Sequence, residues 1–198
     1  YIVRYDDIDG AIICGTSAGN QPLRAAELLA STLSRLCGAE QVSRRLATTS
    51  FGGYNDAFAD ERDGDSWLCS DPDVRKRYRA DPMCDFNFSV GAYRELFRLL
   101  AGISEKRGES WSARVPQSLP VLLIAGEDDP LGENGKGIRE VYERLSDAEL
   151  CELSMKLYPK GRHEILNDVM KHEVYADIIE WIHRVSDGVA ACRGAKLG

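Results

Sequence analysis

Leu119-Pro-Val-Leu-Leu-Ile-Ala-Gly126-Glu-Asp-Asp129-Pro-Leu131 is the stretch whose reading decides the fold. Val121, Leu122, Leu123, Ile124 and Ala125 form a short unbroken apolar run, which is how a strand buried on both faces of a parallel sheet reads. Pro120 opens the run and Gly126 closes it. Three carboxylates, Glu127, Asp128 and Asp129, follow at once, so acids are presented just past the carboxyl end of a strand. Open α/β sheets place their ligands there. A surface turn with solvated acids fits the same residues, and the segment alone does not separate the two.

Working outward, Ala11-Ile-Ile-Cys14 is a second buried-strand candidate, and residues 150–157 alternate. Leu150, Glu152, Ser154 and Lys156 lie on one side, and Cys151, Leu153, Met155 and Leu157 on the other, the period of a half-buried edge strand. Helical spacing joins Leu28, Leu29, Leu33 and Leu36, with Gly38 as a C-terminal cap. It recurs through Val90, Tyr93, Leu96, Phe97, Leu99 and Leu100, then through Ile138, Val141, Tyr142 and Leu145. The last instance is Val174, Ile178, Ile182 and Val185. Strands alternating with helices argue a parallel sheet wound through right-handed crossovers. Residues 48–73 have no sustained period; Phe51, Tyr54, Phe58 and Trp67 punctuate loops and short helices there, as minor core or as a lid over a lipid-like substrate. Residues 1–5 resemble the last turn of a helix, and the tail from Asp187 onward is expected to fray.

Composition narrows the function. A chain of 198 residues with 43% hydrophobic and 29% charged content suits one globular domain with a real core. Its net charge of -7 argues against non-specific nucleic-acid binding. No apolar run approaches the roughly 20 residues that span a bilayer, and no secretion signal is evident, so a cytoplasmic location is expected. The six cysteines lack CxxC spacing and read as reduced thiols, mostly small core hydrophobes.

Three local patterns invite chemistry. Gly15-Thr-Ser17-Ala-Gly19 is literally a nucleophile-elbow pattern, but Asn20, Gln21 and Pro22 intervene before the helix, and Pro22 suits its first position. A Gly-rich loop after a strand is the alternative. Gly132-Glu-Asn-Gly-Lys136-Gly137 lacks the Ser or Thr of a phosphate loop, and His163-Glu164 begins HExxH but meets Asn167. Neither a metal nor a cofactor is expected. What remains is an acid, Asp129, after one strand and a histidine, His163, after the next. A carboxylate on one ring nitrogen fixes the tautomer, so the other nitrogen can take a hydroxyl proton. A structural histidine is the competing reading. The order acid then histidine, with a serine before both, is that of α/β-hydrolases.

Asp9-Gly-Ala-Ile-Ile-Cys-Gly-Thr16, Gly126-Glu-Asp-Asp-Pro130 and Gly161-Arg-His-Glu-Ile-Leu-Asn167 resemble the lysophospholipase-like and monoacylglycerol-lipase-like serine hydrolases of the serine aminopeptidase group. Asp81-Pro-Met-Cys84 and residues 88–97 resemble that family's cap. The resemblance implies an α/β fold, the C-terminal part of an α/β-hydrolase with an inserted helical cap. Residues 1–19 and 112–186 would form the core, 20–111 the cap or lid, and 187–198 a flexible tail. It makes Asp129 the triad acid and His163 the triad base, and places the elbow serine before residue 1. A carboxylic-ester hydrolase acting on lipid-like esters is then expected once that serine is supplied. The alternatives are a catalytically silent module that self-associates or binds a partner, and a self-contained hydrolase using Ser17. An unpaired edge at residues 11–14 leads to the expectation of a homodimer or of an N-terminal segment covering it.

Overall fold

β2 (Val121–Gly126) lies between β1 (Ala11–Cys14) and β3 (Leu153–Tyr158) in a parallel sheet of order β1-β2-β3. The structure is a computed structural model that describes residues 1–18, 23–51, 53–84, 86–103 and 111–195. Ala11 pairs with Val121 and Val121 with Leu153, so the three strands run in step to their carboxyl ends. Every residue of β2 is buried, and the two cores explain its unbroken apolar run. Val121, Leu123 and Ala125 pack with Ile138, Val141 and Leu145 of α5 (Lys136–Asp147). Leu122 and Ile124 pack with Val174, Trp181 and Val185 of α6 (Lys171–Ala195). Helices on both faces leave the strand no wet side, and each large side chain so buried contributes about 1.5–3 kcal/mol.

β3 is narrower than its alternating stretch. Residues 150–152 stay outside the strand, where the Cys151 N–H donates to Gln117 and the Glu152 carbonyl accepts from Val121. Within β3 the period of two holds: Leu153, Met155 and Leu157 face the α5 core, while Lys156 and Tyr158 meet Asp177 of α6. Residues 1–5 close a helical turn, with the N–H groups of Arg4 and Tyr5 on the Tyr1 carbonyl at 2.8 and 3.2 Å.

Between β1 and β2 stand α1 (Leu23–Cys37), α2 (Arg44–Phe51), α3 (Pro72–Ala80) and α4 (Val90–Ile103). Leu23, Ala30, Val90, Tyr93 and Phe97 of α1 and α4 build a core of their own with Leu46. Pro22, expected at the first position of α1, lies outside the described residues. α3 was hidden from periodicity because its only buried residue is Arg75. Its start is nonetheless chemical: Asp71 accepts the N–H groups of Asp73 and Val74, and Pro72 occupies the first turn.

Two expectations need correction. The last helix does not give way to a frayed tail after Val185 but continues to Ala195, because Gly188 and Gly194 each cost only about 1 kcal/mol and Ala190, Ala191 and Arg193 favour helix. The cysteines are not mostly core. Cys69 is buried, but Cys14, Cys37 and Cys151 are exposed, since they sit at or beside element ends. No helix among the described residues is long and apolar enough to cross a membrane.

Past the sheet, the β2 and β3 chains stay in contact. The Glu127 N–H donates to the Tyr158 carbonyl at 3.0 Å and the Asp128 N–H to the Gly161 carbonyl at 2.9 Å. A β-carbon on Gly126 would collide with the carbonyl oxygens of Gly161 and Arg162. Gly126→Ala is therefore expected to destabilise the fold at or beyond the upper end of the ~1–3 kcal/mol of ordinary overpacking, measured by urea unfolding.

Candidate active site

The contact at Gly126 sets where the acid falls. Of the three carboxylates after β2, Glu127 and Asp128 point to solvent and Asp129 is fully buried. One oxygen of Asp129, Oδ1, accepts the Leu131 N–H at 2.9 Å, a local turn that Pro130 and Gly132 accommodate. Oδ2 lies 3.0 Å from Nδ1 of His163. The carboxylate can only accept, so the neutral imidazole carries its proton on Nδ1 and keeps the Nε2 lone pair free. Nε2 has no hydrogen-bond partner among the described residues, and the His163 side chain is 26% exposed. The pair can therefore receive a proton from a group reaching Nε2, while the buried carboxylate stabilises the resulting cation.

Burial of the imidazole opposes its charge. The hydrogen bond to Asp129 and that residue's charge outweigh it, with help from Glu164, and the His163 pKa lies above its ordinary value of 6.5. Gly15, at the end of β1, has φ +62°, and a β-carbon there would sit 3.4 Å from Cε1 of His163. A side chain at Gly15 would thus be strained by its backbone and would lie in van der Waals contact with the imidazole.

The loop bearing His163 is held by the segment between β1 and β2. The N–H groups of His163 and Glu164 donate to the carbonyls of Trp67 and Leu68 at 3.3 and 2.7 Å. Arg162 pairs with Glu61, donates to the Ser66 carbonyl at 2.6 Å, and covers the Phe58 ring at 4.0 Å. Arg75 pairs with Glu61 at 2.8 Å and Asp63 at 2.9 Å. Burial works against the Asp63 charge, yet hydrogen bonds from Ser66, the Asp65 N–H and Arg75 bring its pKa down to about 2. Asp168, fully buried, accepts the N–H groups of Arg162, Ser70 and Val169. None of Arg162, Asp168, Glu61 or Arg75 was singled out from sequence. A signal did exist in their position: Arg162 lies within the motif around His163, and Asp168 follows that motif directly.

Ser17 is placed differently. Its φ is not in the left-handed region that an elbow imposes, and no hydrogen bond joins its hydroxyl to His163. Its backbone instead packs against Gly137 of α5.

Residues 1–170 match the serine aminopeptidase family S33. Among solved structures, the chain is similar to a highly thermostable carboxyl esterase from Bacillus coagulans in complex with glycerol, at 25% identity and a TM-score of 0.82, over 93% of this chain and 60% of that one. It is similar to a lipase in its open form at 22% identity, a TM-score of 0.77 and the same two coverages of 93% and 60%. A monoacylglycerol lipase of Paleococcus ferrophilus aligns at 21% identity and a TM-score of 0.60, over 93% of this chain and 62% of that one. The fold is that of the α/β-hydrolases, and the chain spans about 60% of the length of the first of these structures.

The raised His163 pKa predicts a pH-dependent stability. The folded protein holds this proton more tightly than the unfolded one, so the contribution is full below 6.5 and is lost as pH rises through the higher folded value. Unfolding free energies of the natural chain minus those of His163→Gln, taken stepwise from pH 5 to 9, should fall over that window.

Proposed function

We propose, for a chain that belongs to the serine aminopeptidase family S33, that Asp129 and His163 are the acid and base of a serine hydrolase acting on lipid-like carboxylic esters. The observation that carries the reading is the 3.0 Å contact between Asp129 and Nδ1 of His163, with no partner on Nε2 among the described residues. In this mechanism Nε2 takes the proton of a serine hydroxyl as its oxygen attacks the ester carbonyl. The imidazolium then returns that proton to the departing alcohol, and in a second round the same nitrogen activates the water that releases the acid. Asp129 stays ionised throughout and stabilises the imidazolium.

Likeness to a carboxyl esterase and a monoacylglycerol lipase supports the ester substrate. Trp67, whose ring centroid is 5.4 Å from that of His163, and Tyr54, 5.1 Å further on, offer an apolar aromatic border suited to an acyl chain. In this reading α1 to α4 are the cap. The nucleophile is a serine other than Ser17, whose backbone and hydrogen bonding do not fit the role.

His163→Ala and Asp129→Asn are each expected to lower kcat about 10³–10⁴-fold on p-nitrophenyl and monoacylglycerol esters in the native protein, the Asn by favouring the wrong tautomer. Ser17→Ala should leave turnover intact and Ser17 unlabelled by a fluorophosphonate. Full activity in His163→Ala, or label on Ser17, contradicts the assignment. Since the base works neutral, kcat/KM should rise with pH to a midpoint above 6.5.

A further inference from the structure

A single hydrogen bond fixes a point of the imidazole, not its plane. The contact between Asp129 Oδ2 and His163 Nδ1 leaves the ring free to rock about that axis, and the side chain is 26% exposed. We propose that Trp67 is a positioning residue for His163, its indole holding the imidazole in the plane that keeps Nδ1 on Asp129 and Nε2 toward the opening. This inference rests on the reading of His163 as the general base.

Three observations support the assignment. The indole and imidazole centroids are 5.4 Å apart with the planes inclined by 32°, within the range of attractive ring pairs. Trp67 is itself held: its backbone N–H donates to Asn55 Oδ1 at 3.1 Å, the Asn55 side-chain amide donates to the Asp63 carbonyl, and the Tyr54 ring meets the indole edge-on at 62°. The two rings are also tied through their backbones, by the His163 N–H on the Trp67 carbonyl and the Glu164 N–H on the Leu68 carbonyl, with Arg162 spanning to Glu61 and Ser66. That bridge keeps the two ring-bearing backbones together, and the Tyr54 ring holds the indole on the imidazole side. The stretch around Trp67 acts as a wall of the acid–base pair, not as a flap that opens over it.

The test compares Trp67→Leu with Trp67→Phe in the full 198-residue chain carrying ring-¹⁵N histidine. His172 and His183, both exposed, serve as internal references. In the natural protein and the Phe variant, neutral His163 should be almost wholly the Nδ1–H tautomer with a midpoint above 6.5. In the Leu variant the tautomer should shift toward the mixture of free imidazole and the midpoint should fall. In the native protein its kcat should drop about ten- to hundredfold with little change in KM, the signature of a misaimed base. Natural tautomer and midpoint in the Leu variant would overturn the proposal. Trp67→Met, which fills much of the same volume without a planar face, is read by the same criteria if the Leu variant shows no cooperative melting. Full esterase activity in His163→Ala would instead remove the general-base reading, and would leave the two magnetic-resonance signals to decide the role of Trp67 alone.

Discussion

Two backbones meeting with no side chain between them, at Gly126 and Gly161, form the constraint from which the candidate site follows. Parallel strands run about 4.8 Å apart, and their chains normally separate once the ladder ends. Here the absent β-carbon of Gly126 lets the Asp128 N–H reach the Gly161 carbonyl, so pairing continues one step beyond the sheet. The next residue of one chain is Asp129, and two residues along the other is His163. Their meeting is thus inherited from strand register. It also reduces the cost of a buried carboxylate, which is large unless the charge is hydrogen-bonded, since the Leu131 N–H and the His163 Nδ1–H both donate to it.

The charges around Arg162 serve another end. Arg75 and Arg162 are nearly buried, and taking guanidinium groups out of water is costly even when carboxylates compensate. Their return is geometric. Arg162 reaches residues about a hundred positions earlier in the chain, and Asp168 gathers N–H groups from both sides of the same junction. A loop that apolar contacts alone would leave loosely specified becomes fixed by directional bonds, each with few alternative partners. The imidazole stands on that loop, so its placement depends on segments the sheet does not touch.

How much of this was legible in the sequence follows from the kind of signal each part leaves. β2 announced itself because two helical layers demand an unbroken apolar run, and β3 because one better-covered face demands alternation. Asp129 and His163 could be named because strand ends at a sheet edge are where such groups gather. Burial then chose Asp129 over Asp128, which sequence could do only through motif resemblance. α3 left no apolar period, since Val74, Tyr78 and Ala80 are its only apolar residues after Pro72, and the Asp71-Pro72 pair at its start went unread. The distant partners of Arg162 and Asp168 were not legible for a deeper reason: hydrogen bonds between distant segments have no period, and arginines and carboxylates are as common on any solvated surface. The reach of α6 to Ala195 was missed because the expected fray weighed the tail's glycines and its lack of apolar pattern above the alanines between them.

α1 and α4 close around a core that shares no residue with the two cores flanking the sheet. A substitution among Leu33, Tyr93 or Phe97 is therefore answered by neighbours within that helical layer, Leu46 of α2 included, while one at Ile138 or Val174 is answered against the strands. The molecule is modular under mutation. The helical layer can be remodelled by successive repacking, changing its shape and surface, while the junction with Gly161 leaves no room for a β-carbon at Gly126. Diversification and invariance are thereby assigned to different parts of a single chain before selection acts on either.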